Sequence, residues 1–199
     1  MSRFTWLAVG MAALAIAGAA CRGTPARAAE RPVVDSALPR EATLARFRQG
    51  LDSVAGLSGG AASQAALARA WAAALEHRDT LTLRRLVLDR AEFAWLFYPT
   101  SPQGLPPYAL SPELLWEMLG RQTERGIDHE LRVFGGAPLG FQRIACGDTP
   151  SVEGENRVWG PCVISYVRSA GDTVSARLTG PVIERNGRFK FVSYTNSLD

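Results

Sequence analysis

Lysine is almost missing from this chain: of its 22 basic residues only Lys190 is a lysine, and the arginines are scattered, with Arg84-Arg85 the single doublet. No basic stripe marks a nucleic-acid face, and a formal charge of +3 leaves the chain only mildly basic, so nucleic acid is not expected as a partner. Histidine is equally scarce, with His77 and His129 alone, and no C-x-x-C or spaced His pair occurs. That argues against a zinc site of the usual spacing and a thioredoxin-type redox couple, and leaves a structural disulfide preferred over free thiols for the two later cysteines. No nucleophile-elbow serine, Gly-rich phosphate loop or H-E-x-x-H motif is expected, and neither a metal nor a cofactor.

What is there begins with "MSRFTWLAVGMAALAIAGAA": one basic residue, Arg3, then an apolar run from Phe4 to Ala17, then small residues. The run is shorter than the roughly 20 residues a spanning helix needs, and residues 1–20 read as an export signal. "GAAC" at 18–21 resembles a bacterial lipobox, in which Cys21 is acylated and becomes the new N-terminus. Gly18 departs from that pattern, where a larger aliphatic is usual. Secretory cleavage at Ala17-Gly18-Ala19 or at Ala26-Arg27-Ala28 is the alternative. Lipidation at Cys21 is preferred, because a Cys directly behind the small-residue run is otherwise unexplained. The expected location is the bacterial cell envelope, lipid-anchored or periplasmic, with the membrane reached through the N-terminal anchor.

Either route removes Cys21 from the thiol count and leaves Cys146 and Cys162 as an even pair in an exported chain, where disulfides persist. A bond between them closes a loop for which chain entropy suggests about 3 kcal/mol.

Residues 21–60 read as a tether with one short amphipathic helix, in which Leu44, Phe47, Leu51 and Val54 recur at three and four. "GLSGGAAS" at 56–63 then breaks the pattern. Ser63 caps the next helix, whose Leu67, Trp71 and Leu75 form a core stripe. "TLTLRRLVL" is a further helical stretch, and Asp89 with Glu92 resembles a capping box ahead of Phe93, Leu96 and Phe97. Tyr98 to Pro112 holds five prolines and cannot be regular. Ser111 as N-cap with Pro112 at the first helical position starts a helix expected to run through Gly126 to Gly135-Gly136. After Pro138 the period switches to two, with strands expected at about 139–147, 157–169, 172–185 and 188–195. The first two would form a hairpin about Gly154 that puts Cys146 opposite Cys162. Asn186-Gly187 is a type I′ turn signal, and Gly180-Pro181 suggests a bulge or bend.

The order is α+β: N-terminal helices packed on a curved four-stranded antiparallel sheet. On the Trp71 helix with "EHRDTLTLRRLV", the helix before Gly135 and the closing "IERNGRFKFVSY", residues 61–199 resemble the cone-shaped α+β barrel of the nuclear-transport-factor-2-like superfamily. The resemblance implies a sheet curled about a pocket closed by helices. The pocket-lining candidates are then Phe141, Ile164, Tyr166, Leu178, Phe189 and Phe191 on strands, with Trp71 and Trp95 on helices and Tyr98 and Tyr108 flanking the Pro-rich loop. Core filling competes with that role, since small barrels are often filled by their own side chains.

Enzymes of that superfamily place a strand Asp or a His-Asp pair in the cone, and here this chain departs from the pattern. Within its expected strands the acid is Glu184 alone, while Asp148, Glu153 and Glu155 fall in loops and Asp172 at the loop edge of the third strand. No inward carboxylate stands out. His129 between Asp128 and Glu130 could be a base with orienters, but sequence neighbours on a helix do not face one another. His77 reads as a cap at a helix end. No catalytic residue is assigned. The expected function is binding of a small apolar molecule, a peptide or an envelope partner, with an isomerase, cyclase or hydrolase as the alternative. A homodimer through the open sheet face is neither supported nor excluded.

Overall fold

In the computed structural model, residues 38–168 and 171–195 are described. The export signal and the Cys21 lipidation site lie outside the described residues. All the described residues belong to one unit, which begins at Leu38.

Among the described residues five α-helices come first. α1 (Arg40–Phe47) buries Leu44 and Phe47. α2 (Gln64–Glu76) starts where Ala66 N donates to Ser63 Oγ at 3.1 Å and buries Leu67, Ala68, Trp71, Ala72, Ala74 and Leu75. α3 (Thr80–Arg85) is capped by Asp79. α4 (Arg90–Glu92) opens with the reciprocal Asp89/Glu92 capping box and passes into a π-helical turn at Phe93–Phe97. α5 (Pro112–Phe134) runs 23 residues from its Ser111 cap, about 34 Å at 1.5 Å per residue. Gly126 sits inside α5 because a Cβ there would stand 2.5 Å from Tyr194 Cβ and 2.9 Å from the Thr195 carbonyl oxygen. The C-terminal segment crosses the helix at that point.

Among the described residues seven short strands replace the four long ones expected. β1 (Phe141–Cys146), β4 (Cys162–Val167) and β5 (Thr173–Ala176) form one antiparallel sheet in the order β1-β4-β5. β2 (Ser151–Glu153), β3 (Asn156–Trp159), β6 (Val182–Arg185) and β7 (Arg188–Phe191) form a second in the order β2-β3-β6-β7. The expected second strand divides into β3 and β4 at Gly160-Pro161, and the expected third into β5 and β6 around Gly180-Pro181. Proline has no N–H for a ladder, so both strands of one long pairing break at a proline. The breaks are neighbours, since a Cβ on Gly160 would lie 3.5 Å from Pro181 Cβ. Pairing continues on either side, Ile164 with Ala176 and Trp159 with Val182. The result is an α+β structure with two antiparallel sheets that do not close into a barrel.

Two other features match the local signals. Asn186 and Gly187 both take positive φ, 52° and 72°, as a type I′ turn requires. Cys146 and Cys162 are paired directly across β1 and β4 and joined by a disulfide, their Cα atoms 4.0 Å apart.

The core is in two parts. The first lies among α2, α3, α5 and the strands and holds Trp71, Leu75, Ile127, Ile164, Leu178, Phe191 and Tyr194. The second gathers α1, the π-helical turn and the first half of α5 around Phe93, whose ring meets Phe47 at 5.6 Å and Trp116 at 5.2 Å. No helix among the described residues is long and apolar enough to cross a membrane.

Candidate functional site

A cavity of about 710 Å³ opens where the last turn of α5 and the segment after it face the β4–β5 hairpin. Val133 and Phe134 line it from the helix, Leu139 and Gly140 from the connection, and Tyr166, Val174 and Ala176 from the sheet. Local sequence holds this mouth open. α5 ends at Gly135, and Gly136 takes a φ of 88°, which turns the chain away from the helix axis. The connection is then pinned from both sides. Gly136 N donates to the Leu75 carbonyl at 3.2 Å, Leu139 N to Glu76 Oε1 at 2.8 Å, and Val167 N to the Gly140 carbonyl at 3.0 Å. Arg78 Nη1 donates to the Gly135 carbonyl at 2.9 Å, which offsets the negative end of α5. The Phe134 and Tyr166 rings meet edge to face at 5.2 Å within the lining.

One turn of α5 before Phe134 and on the same helix face, Glu130 is fully buried. Trp71 Nε1 donates to its Oε2 at 2.9 Å, and Oε1 has no partner. Burial pushes this carboxyl well above its ordinary range, against a smaller downward effect of the Trp71 hydrogen bond. The surroundings of Glu130 therefore favour its protonated form over the carboxylate. Tyr194 is raised too, first by burial and then by the Glu130 charge, and its hydroxyl donates to the Leu83 carbonyl at 2.7 Å. The inward carboxylate that the strands lack is thus supplied by a helix. Its signal was in the sequence: Thr123, Ile127, Glu130 and Phe134 follow the three-and-four spacing of the buried face. The neighbours of Glu130 point elsewhere, Asp128 exposed and His129 half-buried with an unpartnered Nε2.

The ten aromatic and aliphatic candidates are spread across the fold. Tyr166 lines the cavity. Trp71, Ile164, Leu178 and Phe191 are fully buried in the first core, with Phe141 and Phe189 packed against it. Tyr98 is buried in the second core, where its hydroxyl donates to the Leu110 carbonyl at 2.7 Å. Trp95 packs at the edge of that core with the Arg48 guanidinium 3.9 Å over its ring. Tyr108 is 67% exposed on the Pro-rich segment. His77 Nδ1 lies 2.8 Å from the Ala73 carbonyl at the end of α2.

"GLSGG" at 56–60 does have G-x-S-x-G spacing, contrary to the expectation that no such serine occurs. Its surroundings are not those of a nucleophile elbow. No strand leads into it, α2 begins only at Gln64, and Ser58 Oγ donates to Glu92 Oε1 at 3.0 Å with no histidine in reach of a bond to it. Among the described residues no group of three or more His, Cys, Asp or Glu side chains is placed to hold a metal ion. Compared with known proteins, the chain matches no family model, no curated protein and no solved structure.

Proposed function

We propose that this is an exported cell-envelope protein, anchored through a lipid on Cys21, whose domain binds a small apolar molecule without catalysis. The single observation that carries the proposal is the apolar cavity beside Phe134 and Tyr166, of a size typical for small-molecule sites and braced by hydrogen bonds to α2 and β4. The disulfide between Cys146 and Cys162 agrees with an oxidising compartment. Helices set against antiparallel pairing interrupted at Gly160-Pro161 and Gly180-Pro181 are compatible with the cone of the nuclear-transport-factor-2-like superfamily, which we retain as the proposed fold family. On that proposal the core cluster of Trp71, Ile164, Leu178 and Phe191 corresponds to the interior of the cone. Titration of an environment-sensitive apolar fluorophore into the full chain tests this function. Saturable binding that is lost in a cavity-filling Ala176→Trp variant of unchanged circular dichroism supports it, and absence of saturable binding to the unaltered chain overturns it.

Glu130 favours a second function, an isomerase, cyclase or hydrolase in which this buried carboxyl, whose surroundings favour its protonated form, donates a proton to a substrate entering from the end of α5. Glu130→Gln keeps an acceptor for Trp71 and removes the acid. A turnover found in the native protein and unchanged in that variant would exclude Glu130 as the catalyst.

A further inference from the structure

Given the ligand-binding function proposed above, on which this assignment rests, we infer that the occupant of the cavity is a single-chain amphiphile with a carboxylate head: the apolar tail lies along Phe134, Leu139 and Val174, and Arg168 receives the head at the rim. Arg168 is the one charged residue among those lining the cavity. It follows β4 directly and is exposed, its backbone tied to the hairpin through Arg168 N to the Asp172 carbonyl at 2.9 Å. No carboxylate among the described residues lies within salt-bridge distance of its guanidinium, although Arg84, Arg121, Arg157 and Arg185 all have such partners. A guanidinium at the edge of an apolar cavity, with no side-chain partner among the described residues, matches a carboxylate in both charge and geometry.

The other charges nearby do not cancel this one. The negative end of α5 is already answered by Arg78 at the Gly135 carbonyl. Glu76 is engaged by Leu139 N, and Glu130 is fully buried, bonded by Trp71 Nε1, and not among the cavity residues. Asp172 is exposed on the same hairpin and is not among the cavity residues. The rim also leaves Val133 half exposed, at 51%, an apolar surface that folding alone does not cover and that a ligand tail would.

The test uses the full chain and three probes of equal length: hexadecanoate, hexadecanol and hexadecyltrimethylammonium, each below the concentration at which it self-associates. Hexadecanoate is expected to bind best. Arg168→Ala should weaken it by about five-fold, the upper end for a solvent-exposed ion pair, while leaving hexadecanol unchanged and the circular dichroism intact. Raising the salt concentration should weaken hexadecanoate alone. Equal binding of carboxylate and alcohol, unaffected by Arg168→Ala, would overturn the head-group assignment and leave the apolar-binding function standing. Tighter binding of the ammonium probe would overturn it as well. Failure of all three probes to bind would overturn the binding function itself.

Discussion

Lys190 Nζ stands 2.8 Å from Glu92 Oε2 and 3.1 Å from Oε1, with both side chains withdrawn from solvent. The only lysine of the chain is therefore not on its surface but inside it, joining β7 to α4. Glu92 also accepts from Asp89 N at 2.9 Å and from Ser58 N at 2.6 Å, so its oxygens are well satisfied. Such a carboxylate depends on its cation. Lys190→Met should lower stability by about 3–5 kcal/mol, because it strands a buried charge. Adding Glu92→Leu should recover much of that loss, though not the capping of α4. Urea denaturation of the single and double variants, analysed as a cycle, measures the coupling; additive effects would show that the pair is not coupled.

Glu130 should make stability fall as pH rises. Its folded-state pKa lies above the ordinary value of 4.5, so the folded protein holds a proton that the unfolded chain has released. Its contribution is complete below pH 4.5 and declines as pH rises toward the folded value, by at most about 1.4 kcal/mol per pH unit. Glu130→Gln has nothing to titrate there. The melting temperature of the variant relative to the parent should therefore climb as pH rises from 4.5 toward the folded-state value, and a constant difference would show that Glu130 is ionised in the fold.

Two glycines of α5 should respond in opposite directions to alanine. At Gly126 a Cβ meets Tyr194 and the Thr195 carbonyl below 3.0 Å, so the gain in helix propensity is outweighed, and Gly126→Ala should cost about 1–3 kcal/mol. Nothing lies within 4 Å of a Cβ at Gly120, and Gly120→Ala should add about 0.5–1 kcal/mol. Thermal melts of the two variants decide the matter; stabilisation by both would mean that the C-terminal segment does not press on the helix.

The disulfide should contribute about 3 kcal/mol for its closed loop. A Cys146→Ser, Cys162→Ser double variant should unfold at lower urea, while the oxidised parent shifts by a similar amount when reductant is added. No shift with reductant in protein whose thiols are shown to become free would indicate that the bond leaves the unfolded state unconstrained.

Features that depend on neighbours along the chain are legible in the sequence. Ser63, Ser111 and the Asp89/Glu92 box act within three residues, and Asn186-Gly187 acts within a turn. The cysteine pair is legible by elimination, though the single hairpin expected to align it is not what forms: a separate β2–β3 hairpin lies between the two cysteines. The Gly-Pro at 180–181 announces a bend, yet its companion at 160–161 falls inside what the alternation presents as one strand. Only the pairing of β3 with β6 and β4 with β5 brings the two breaks together.

By itself, then, the sequence determined where helices begin, where turns reverse and which cysteines join, because each follows from backbone groups finding partners a few residues away or from counting thiols. The tertiary structure alone decided that Lys190 is buried on Glu92 across 98 residues, that Glu130 faces Trp71 across 59, and that Phe134 and Tyr166 border a cavity. Those outcomes depend on which apolar faces pack together. The spacing of a helical stripe does not tell whether a carboxyl on it is buried or solvated, until a tryptophan from another helix is placed to bond it.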